Sequence, residues 1–323
     1  MKYVELGKNK EKVSAIGLGT WQFGTKGWGY GKEFDKFTAI NIINLAIDNG
    51  VNLIDTAEMY GDGMSEKIIG EAIKDRQRDE VFIATKVAPY NTGYRTLKRS
   101  CDRSLNKLGI KTIDLYQIHW PNPLLSTRRT IKALDELVDE GKIRYIGVSN
   151  FSIGRLKKAQ ELTKHEIVSN QVSYSLANLK VEEKLLPYCK ESGVKIIGYS
   201  PLAQGLLTGK YTPENPLKSL GVRRINNLFS PTNLKKAMPL INNLKEIGEK
   251  YNRTAAQISL NYLISDDSVI AIPGAKNEKQ LMSNIGAADF ELERNDIEEL
   301  KKVANQFYPT KIGSLQWIAG IQS

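Results

Sequence analysis

Ten consecutive residues, Asn52-Leu53-Ile54-Asp55-Thr56-Ala57-Glu58-Met59-Tyr60-Gly61, have the types and spacing to move a proton. The apolar run 51–54 reads as a short buried strand that delivers Asp55 at its C-terminal end, with Tyr60 in the loop beyond. A carboxylate buried there requires a cationic partner, because burying it unpaired is costly. A tyrosine beside such a pair has its ordinary pKa of about 10 drawn down by the cation. The stretch therefore calls for a lysine and a carbonyl-polarising group from neighbouring strand ends, and Lys86 and His119 answer it.

Those positions need elements to hold them. Residues 2–14 read as a hairpin turning at Leu6-Gly7-Lys8-Asn9-Lys10. Strand-like runs follow at 16–19, 53–55, 82–85, 115–118, 145–149, 168–172, 196–199 and 269–272. Amphipathic helical runs lie near 37–49, 65–74, 94–108, 127–140, 152–163, 181–192, 254–264 and 277–285. Gly109, Gly141 and Gly193 stand where helix ends need them, and Ser152 and Thr254 where N-caps go. Eight strands, each followed by a helix, predict an α/β chain folded as a single (β/α)8 TIM barrel across 1–323, with the hairpin at 1–14. Helices at 237–250 and 294–304 are two additions to it, while 205–235 and the tail 306–323 read as long loops of the kind that carry function.

In such a barrel, catalytic side chains come from the C-terminal ends of several strands. In order these ends carry Asp55, Lys86 and His119, with Tyr60 just past the first of them. Each has an ordinary reading: a helix cap, a solvated lysine, a core histidine, a half-buried aromatic. Their succession at strand ends argues against all four ordinary readings holding together. The other histidine, His165, reads as surface.

Composition narrows the class. Hydrophobic residues at 41% and charged ones at 25% over 323 residues describe a water-soluble globular protein. The N-terminus has no signal-type apolar region, and no stretch reaches the roughly 18 apolar residues a membrane span needs. Two distant cysteines, Cys101 and Cys189, lack metal-type spacing and imply buried, inert thiols in a reduced cytoplasmic setting, with no metal site. The net charge of +10 is spread over basic pairs that alternate with acids, which excludes a nucleic-acid patch. Such a field favours a polyanionic small molecule such as a phosphorylated dinucleotide.

The ordered motifs carry a resemblance. Gly17-Leu18-Gly19-Thr20-Trp21, Asp55-Thr56-Ala57 through Tyr60-Gly61, Ala84-Thr85-Lys86 and Gln117-Ile118-His119-Trp120 come first. Gly147-Val148-Ser149-Asn150-Phe151, Asn170-Gln171, Tyr199-Ser200-Pro201-Leu202 and Ile272-Pro273-Gly274-Ala275-Lys276 follow. As a set over essentially the whole chain, they resemble the aldo-keto reductase superfamily. The resemblance implies a catalytic tetrad of Asp55, Tyr60, Lys86 and His119. In it NAD(P)H supplies hydride to a carbonyl carbon, Tyr60 protonates the oxygen, Lys86 lowers the Tyr60 pKa and His119 orients the carbonyl.

It implies a cofactor site as well. Ser149, Asn150 and Gln171 would hold the nicotinamide carboxamide, Tyr199 would stack on the ring, and Thr20, Trp21 and Asp55 would border the ribose. Ser200, Leu202, Gly205 and Lys210 would follow the pyrophosphate, and Lys276, Gln280 and Asn284 the adenosine end. The loop 205–235 would fold over the cofactor, with Arg223 or, preferentially, Arg224 on the phosphates. Many animal relatives place Lys-Ser directly after Ile-Pro; here Gly274-Ala275 stand there and Lys276 is shifted on, as in the bacterial, plant and potassium-channel-β branches. The cofactor implied is NADPH/NADP+, with NADH left open. Trp21, Trp28, Tyr60 and Trp120, with Trp317 as a further candidate, would line an aromatic substrate mouth, although Trp28 and Trp317 also suit loop packing.

The expectation is a carbonyl reductase acting on small molecules, without nucleic-acid or membrane partners, as monomer or homo-oligomer. Alternatives are an NAD-linked sugar or alcohol dehydrogenase and a redox-sensing subunit working through a protein partner. The near-coincidence of chain start and barrel start favours the free-standing enzyme.

Overall fold

The structure is a computed structural model that describes residues 1–217, 223 and 226–310. Strands β1 (Tyr3–Leu6) and β2 (Glu11–Ser14) form the expected antiparallel hairpin, with Leu6 paired to Glu11 across the Gly7 turn. Gly7 has φ 67°, a left-handed conformation that a side chain would strain. The hairpin seals one end of the barrel. Asn52, just ahead of the second barrel strand, accepts from the Ser14 backbone N–H at 2.8 Å and donates to the Lys12 carbonyl at 2.8 Å.

Eight parallel strands then form the barrel wall: β3 (Leu18–Gly19), β4 (Leu53–Asp55), β5 (Phe82–Val87), β6 (Ile113–Ile118), β7 (Ile143–Ser149), β8 (Ile167–Ser173), β9 (Lys195–Tyr199) and β10 (Val269–Ala271). Neighbours in sequence are neighbours in the sheet. The ring closes where the Gly17 N–H donates to the Ala271 carbonyl at 2.8 Å and the Gly19 N–H to the Pro273 carbonyl at 3.1 Å. The strands are buried on both faces, which explains their continuous apolar runs. Gly147 is small because the barrel interior is full: a Cβ there would lie 2.6 Å from Ser169 Oγ and 2.8 Å from Gln117 Cγ.

The helices are α1 (Lys36–Asp48), α2 (Met64–Ile73), α3 (Tyr94–Leu108), α4 (Thr127–Asp139), α5 (Ile153–Leu162), α6 (Lys180–Glu183), α7 (Leu185–Glu191), α8 (Pro231–Tyr251), α9 (Ala255–Ile264), α10 (Glu278–Ile285) and α11 (Arg294–Ala304). The additions to the barrel are α8 and α11. Thr254 and Gln257 form a reciprocal capping box at the start of α9.

Three expectations are corrected. The first barrel strand is only Leu18–Gly19; Ile16 reaches Ala271 through an isolated bridge. The single helix expected at 181–192 is split at Lys184, because Pro187 lacks the N–H that would donate to Glu183 and its ring crowds that carbonyl. Helix α8 begins at Pro231, inside the segment expected as loop. Ser230 caps it by accepting from the Asn233 N–H, and Pro231 takes the first helical turn, where its missing donor costs nothing.

No helix among the described residues is long and apolar enough to cross a membrane. Cys101 and Cys189 are both buried and unbridged, and burial pushes each thiol up to about 12.

Candidate active site

Parallel register decides which side chains meet at the C-terminal mouth. Asp55 lies beside Ala84, Lys86 beside Gln117, and Ser149 beside Gln171. Lys86 is fully buried and uses its three donors: to Asp55 Oδ1 at 2.6 Å, the Thr56 carbonyl at 2.7 Å and the Tyr60 hydroxyl at 3.3 Å. The second Asp55 oxygen accepts from Gln171 Nε2 at 2.8 Å and Gln117 Nε2 at 3.4 Å. The buried pair is therefore hydrogen-bonded on both sides, as such pairs must be.

The rings of Tyr60 and His119 meet edge to face, centroids 5.8 Å apart. Asp55, Tyr60, Lys86 and His119 thus form one contiguous cluster, although they come from three separate segments of sequence. Burial draws Lys86 below its ordinary value even with Asp55 against it. Burial, with the Lys86 charge adding, lowers the His119 imidazole to about 3, so this half-buried ring is neutral. Its Nδ1 is enclosed and has no hydrogen-bond partner.

Tyr60 departs from expectation. Burial and the Asp55 carboxylate drive its phenol well above its ordinary value, whereas the sequence reading had Lys86 lowering it. The main physical reason is burial, which disfavours the charged phenolate, and the nearby Asp55 carboxylate adds like-charge repulsion. The ring is held as a proton-bearing phenol.

The expected cofactor residues fall into groups. Asn150 has φ 61° and ties the mouth together: its amide donates to Ser149 Oγ at 3.0 Å and to the His119 carbonyl at 3.2 Å, and accepts from the Tyr199 hydroxyl at 3.1 Å. Gln171 is spent on Asp55, and Ser149 Oγ donates to the Gln171 carbonyl at 2.8 Å. The Thr20 side chain is fully buried, donating to the Asp55 carbonyl at 2.8 Å and bonding to Ser65, so it braces the strand ends instead of facing the cleft. Ser200, Leu202 and Gly205 run along the turn after β9, where Ser200, Ala203 and Gln204 all have positive φ. Non-glycine residues held there mark a backbone that the fold keeps under strain, a common property of functional loops.

At the far end, Lys276 pairs with Glu33 at 2.7 Å, its backbone N–H donates to Gln280 Oε1 at 2.9 Å, and Asn284 donates to the Gly274 carbonyl at 3.3 Å. Lys210 is exposed, lying over the Tyr211 ring at 5.8 Å. Arg223 donates to the Tyr211 hydroxyl at 2.8 Å and stacks over Trp28, in the loop that follows β3, at 5.6 Å. Arg224 and Trp317 lie outside the described residues.

Trp28, Trp21 and Tyr60 form a continuous ring series, with centroids 5.0 Å apart for the first pair and 6.4 Å for the second. Trp120 is half-buried beside His119 and outside that series. His165 is at the surface, its Nε2 3.0 Å from an Asp139 oxygen. Sequence reading gave no role to Gln117, Glu33 or Glu58. Glu58 accepts from the Ala88 N–H at 2.6 Å and from Asn91 at 3.1 Å, pinning the loop after β5. The available signal was a polar residue within an otherwise apolar strand or loop; it did not name a partner.

The Aldo/keto reductase family profile matches residues 15–305. The chain belongs to the aldo/keto reductase family. An uncharacterised oxidoreductase of Mycobacterium tuberculosis is 42% identical to this aldo/keto reductase, over 97% of this chain and 96% of its own. The aldo-keto reductase YhdN of Bacillus subtilis is 33% identical over 97% and 96%. A crystal structure of an aldo/keto reductase from Klebsiella pneumoniae in complex with NADP and acetate superposes with a TM-score of 0.75, at 30% identity, over 97% of this chain and 98% of that one. This aldo/keto reductase is thus an oxidoreductase by family, on a barrel that its solved relatives share.

Proposed function

We propose that this aldo/keto reductase reduces the carbonyl of small aldehydes or ketones to an alcohol with NADPH, Tyr60 acting as general acid. One observation carries the reading: the Tyr60 hydroxyl lies 3.3 Å from Lys86 Nζ, itself 2.6 Å from Asp55, with neutral His119 against the same ring.

The residues present fit a phosphorylated dinucleotide. Asn150 and Ser149 offer amide and hydroxyl groups beside His119 and Tyr199, while Lys276, Arg223 and Lys210 supply cations nearby. The Trp28 indole N–H and His119 Nδ1 are buried without partners, which marks a cleft with hydrogen-bonding capacity to spare. The NADP complex of the Klebsiella pneumoniae relative supports the same choice. The bound cofactor would supply hydride to the carbonyl carbon.

The chain's own residues do the rest. Tyr60, kept as the phenol by burial, gives its proton to the carbonyl oxygen as negative charge develops there. Lys86 then stabilises the phenolate left behind; it is already within hydrogen-bond reach and needs no reorganisation. Asp55, fixed by Gln171 and Gln117, keeps Lys86 aimed at that oxygen. His119, neutral, can orient the carbonyl without offering a competing acid. Trp21, Trp28 and Trp120 would give the substrate an aromatic wall.

A spectrophotometric panel tests this: NADPH or NADH consumption with aldehydes, ketones and quinones, and the reverse reaction with sugars. Carbonyl-dependent NADPH oxidation is the expected result. Turnover confined to sugar oxidation with NAD+ would refute the reading.

A further inference from the structure

Lys276 is placed for a cofactor phosphate, yet the structure gives its ammonium a carboxylate. Glu33 Oε2 lies 2.7 Å away, and the Lys276 side chain is only 17% exposed. This contact is built. Glu33 hangs on a turn whose Gly29 has φ 94° and accepts the Glu33 N–H at 2.7 Å. A Cβ at Gly29 would sit 2.6 Å from the Glu33 carboxyl carbon, so glycine there makes room for this side chain. The residue before the glycine, Trp28, is the one on which Arg223 stacks. The hydrogen bond from Lys276 holds the Glu33 carboxyl below its ordinary range, with Arg223 and Lys210 adding to the effect. Lys276 thus contacts this acid directly, while Arg223 and Lys210 act on it only through their charge.

We infer that Glu33 competes with the cofactor's 2′-phosphate for Lys276 and so sets the preference between phosphorylated and unphosphorylated dinucleotides. The inference rests on the proposed function, in which Lys276 receives the adenosine end. A 2′-phosphate reaching Lys276 meets a second anion on the same ammonium, and like charges sharing a cation repel. A plain ribose brings a 2′-hydroxyl instead, which can donate to a carboxylate without that penalty. Glu33 thus weakens NADPH binding relative to NADH, and the chain tolerates both better than a lone lysine would allow.

Calorimetric titration of the whole chain with 2′,5′-ADP and with 5′-AMP reads this without turnover. Glu33→Gln is expected to tighten 2′,5′-ADP roughly three- to tenfold, the scale of a half-exposed ion pair plus one removed like charge, with 5′-AMP unmoved. In a Lys276→Met background the gain should vanish. Unchanged or weaker 2′,5′-ADP binding in Glu33→Gln overturns the inference, as does a gain that persists without Lys276. If the wild type binds neither NADPH nor 2′,5′-ADP, the functional reading itself has failed. If it binds both and only the substitution is silent, the function stands and the competition does not.

Discussion

Lys86 and Asp55 meet at 2.6 Å from adjacent parallel strands, with their side chains 0% and 2% exposed. Removing one member strands the other's charge in the buried interior, at a cost of roughly 3–5 kcal/mol. Asp55→Asn is therefore expected to lower the unfolding free energy by about that margin, read as a lower midpoint in urea titration, and to impair turnover. A midpoint and rate equal to the wild type would show that the pair carries neither stability nor chemistry.

Tyr60→Phe removes the proton and keeps the ring that packs on Trp21 and His119. Loss of a general acid costs about 10²- to 10⁴-fold in rate. Cofactor affinity, followed by fluorescence titration, should be preserved, so the loss should fall on kcat. A variant with wild-type kcat would remove Tyr60 from the mechanism.

His119 makes a prediction about acid stability. Its folded value of about 3 lies below the ordinary 6.5, so the unfolded chain binds the proton more readily. The contribution is present above about pH 6.5 and is lost as pH falls toward about 3. Subtracting the unfolding profile of His119→Gln from that of the wild type should expose a slope of up to one proton inside this window. Parallel profiles there would mean that the ring is solvated.

Arg223 bonds to Tyr211 and stacks over Trp28, in the loop that follows β3. Arg223→Ala should raise the NADPH dissociation constant by about tenfold, since contacts to charged groups contribute on the order of 1.5–3 kcal/mol. Arg223→Lys should recover little, because an ammonium lacks the planar face that stacks on indole. Equal affinity in all three proteins would leave this arginine with a purely local role.

Much of the molecule was written in the order of its residues. Apolar runs bounded by glycine and polar turns set eight strands and their helices, because burial on both faces demands continuous hydrophobic sequence. Asp55, Lys86 and His119 were legible for the same reason: each is a charged or polar residue that ends such a run, and in a parallel barrel every run ends on the same face. The start of α8 was legible in Ser230-Pro231 but was obscured by the asparagines and prolines around it.

Beyond the Asp55–Lys86 pair, what the sequence could not contain was partnership. Glu33 finds Lys276 across 243 residues only because the barrel closes between its first and last strands. Gln117 and Gln171 both turn to Asp55 because β4, β6 and β8 are alternate strands whose inward side chains share one layer of the barrel interior. The direction of the Tyr60 proton was decided in three dimensions too. Whether a phenol beside a lysine is lowered or raised depends on how deeply it is buried and on which other charges stand near it, and that is a matter of packing and distance, not of residue order.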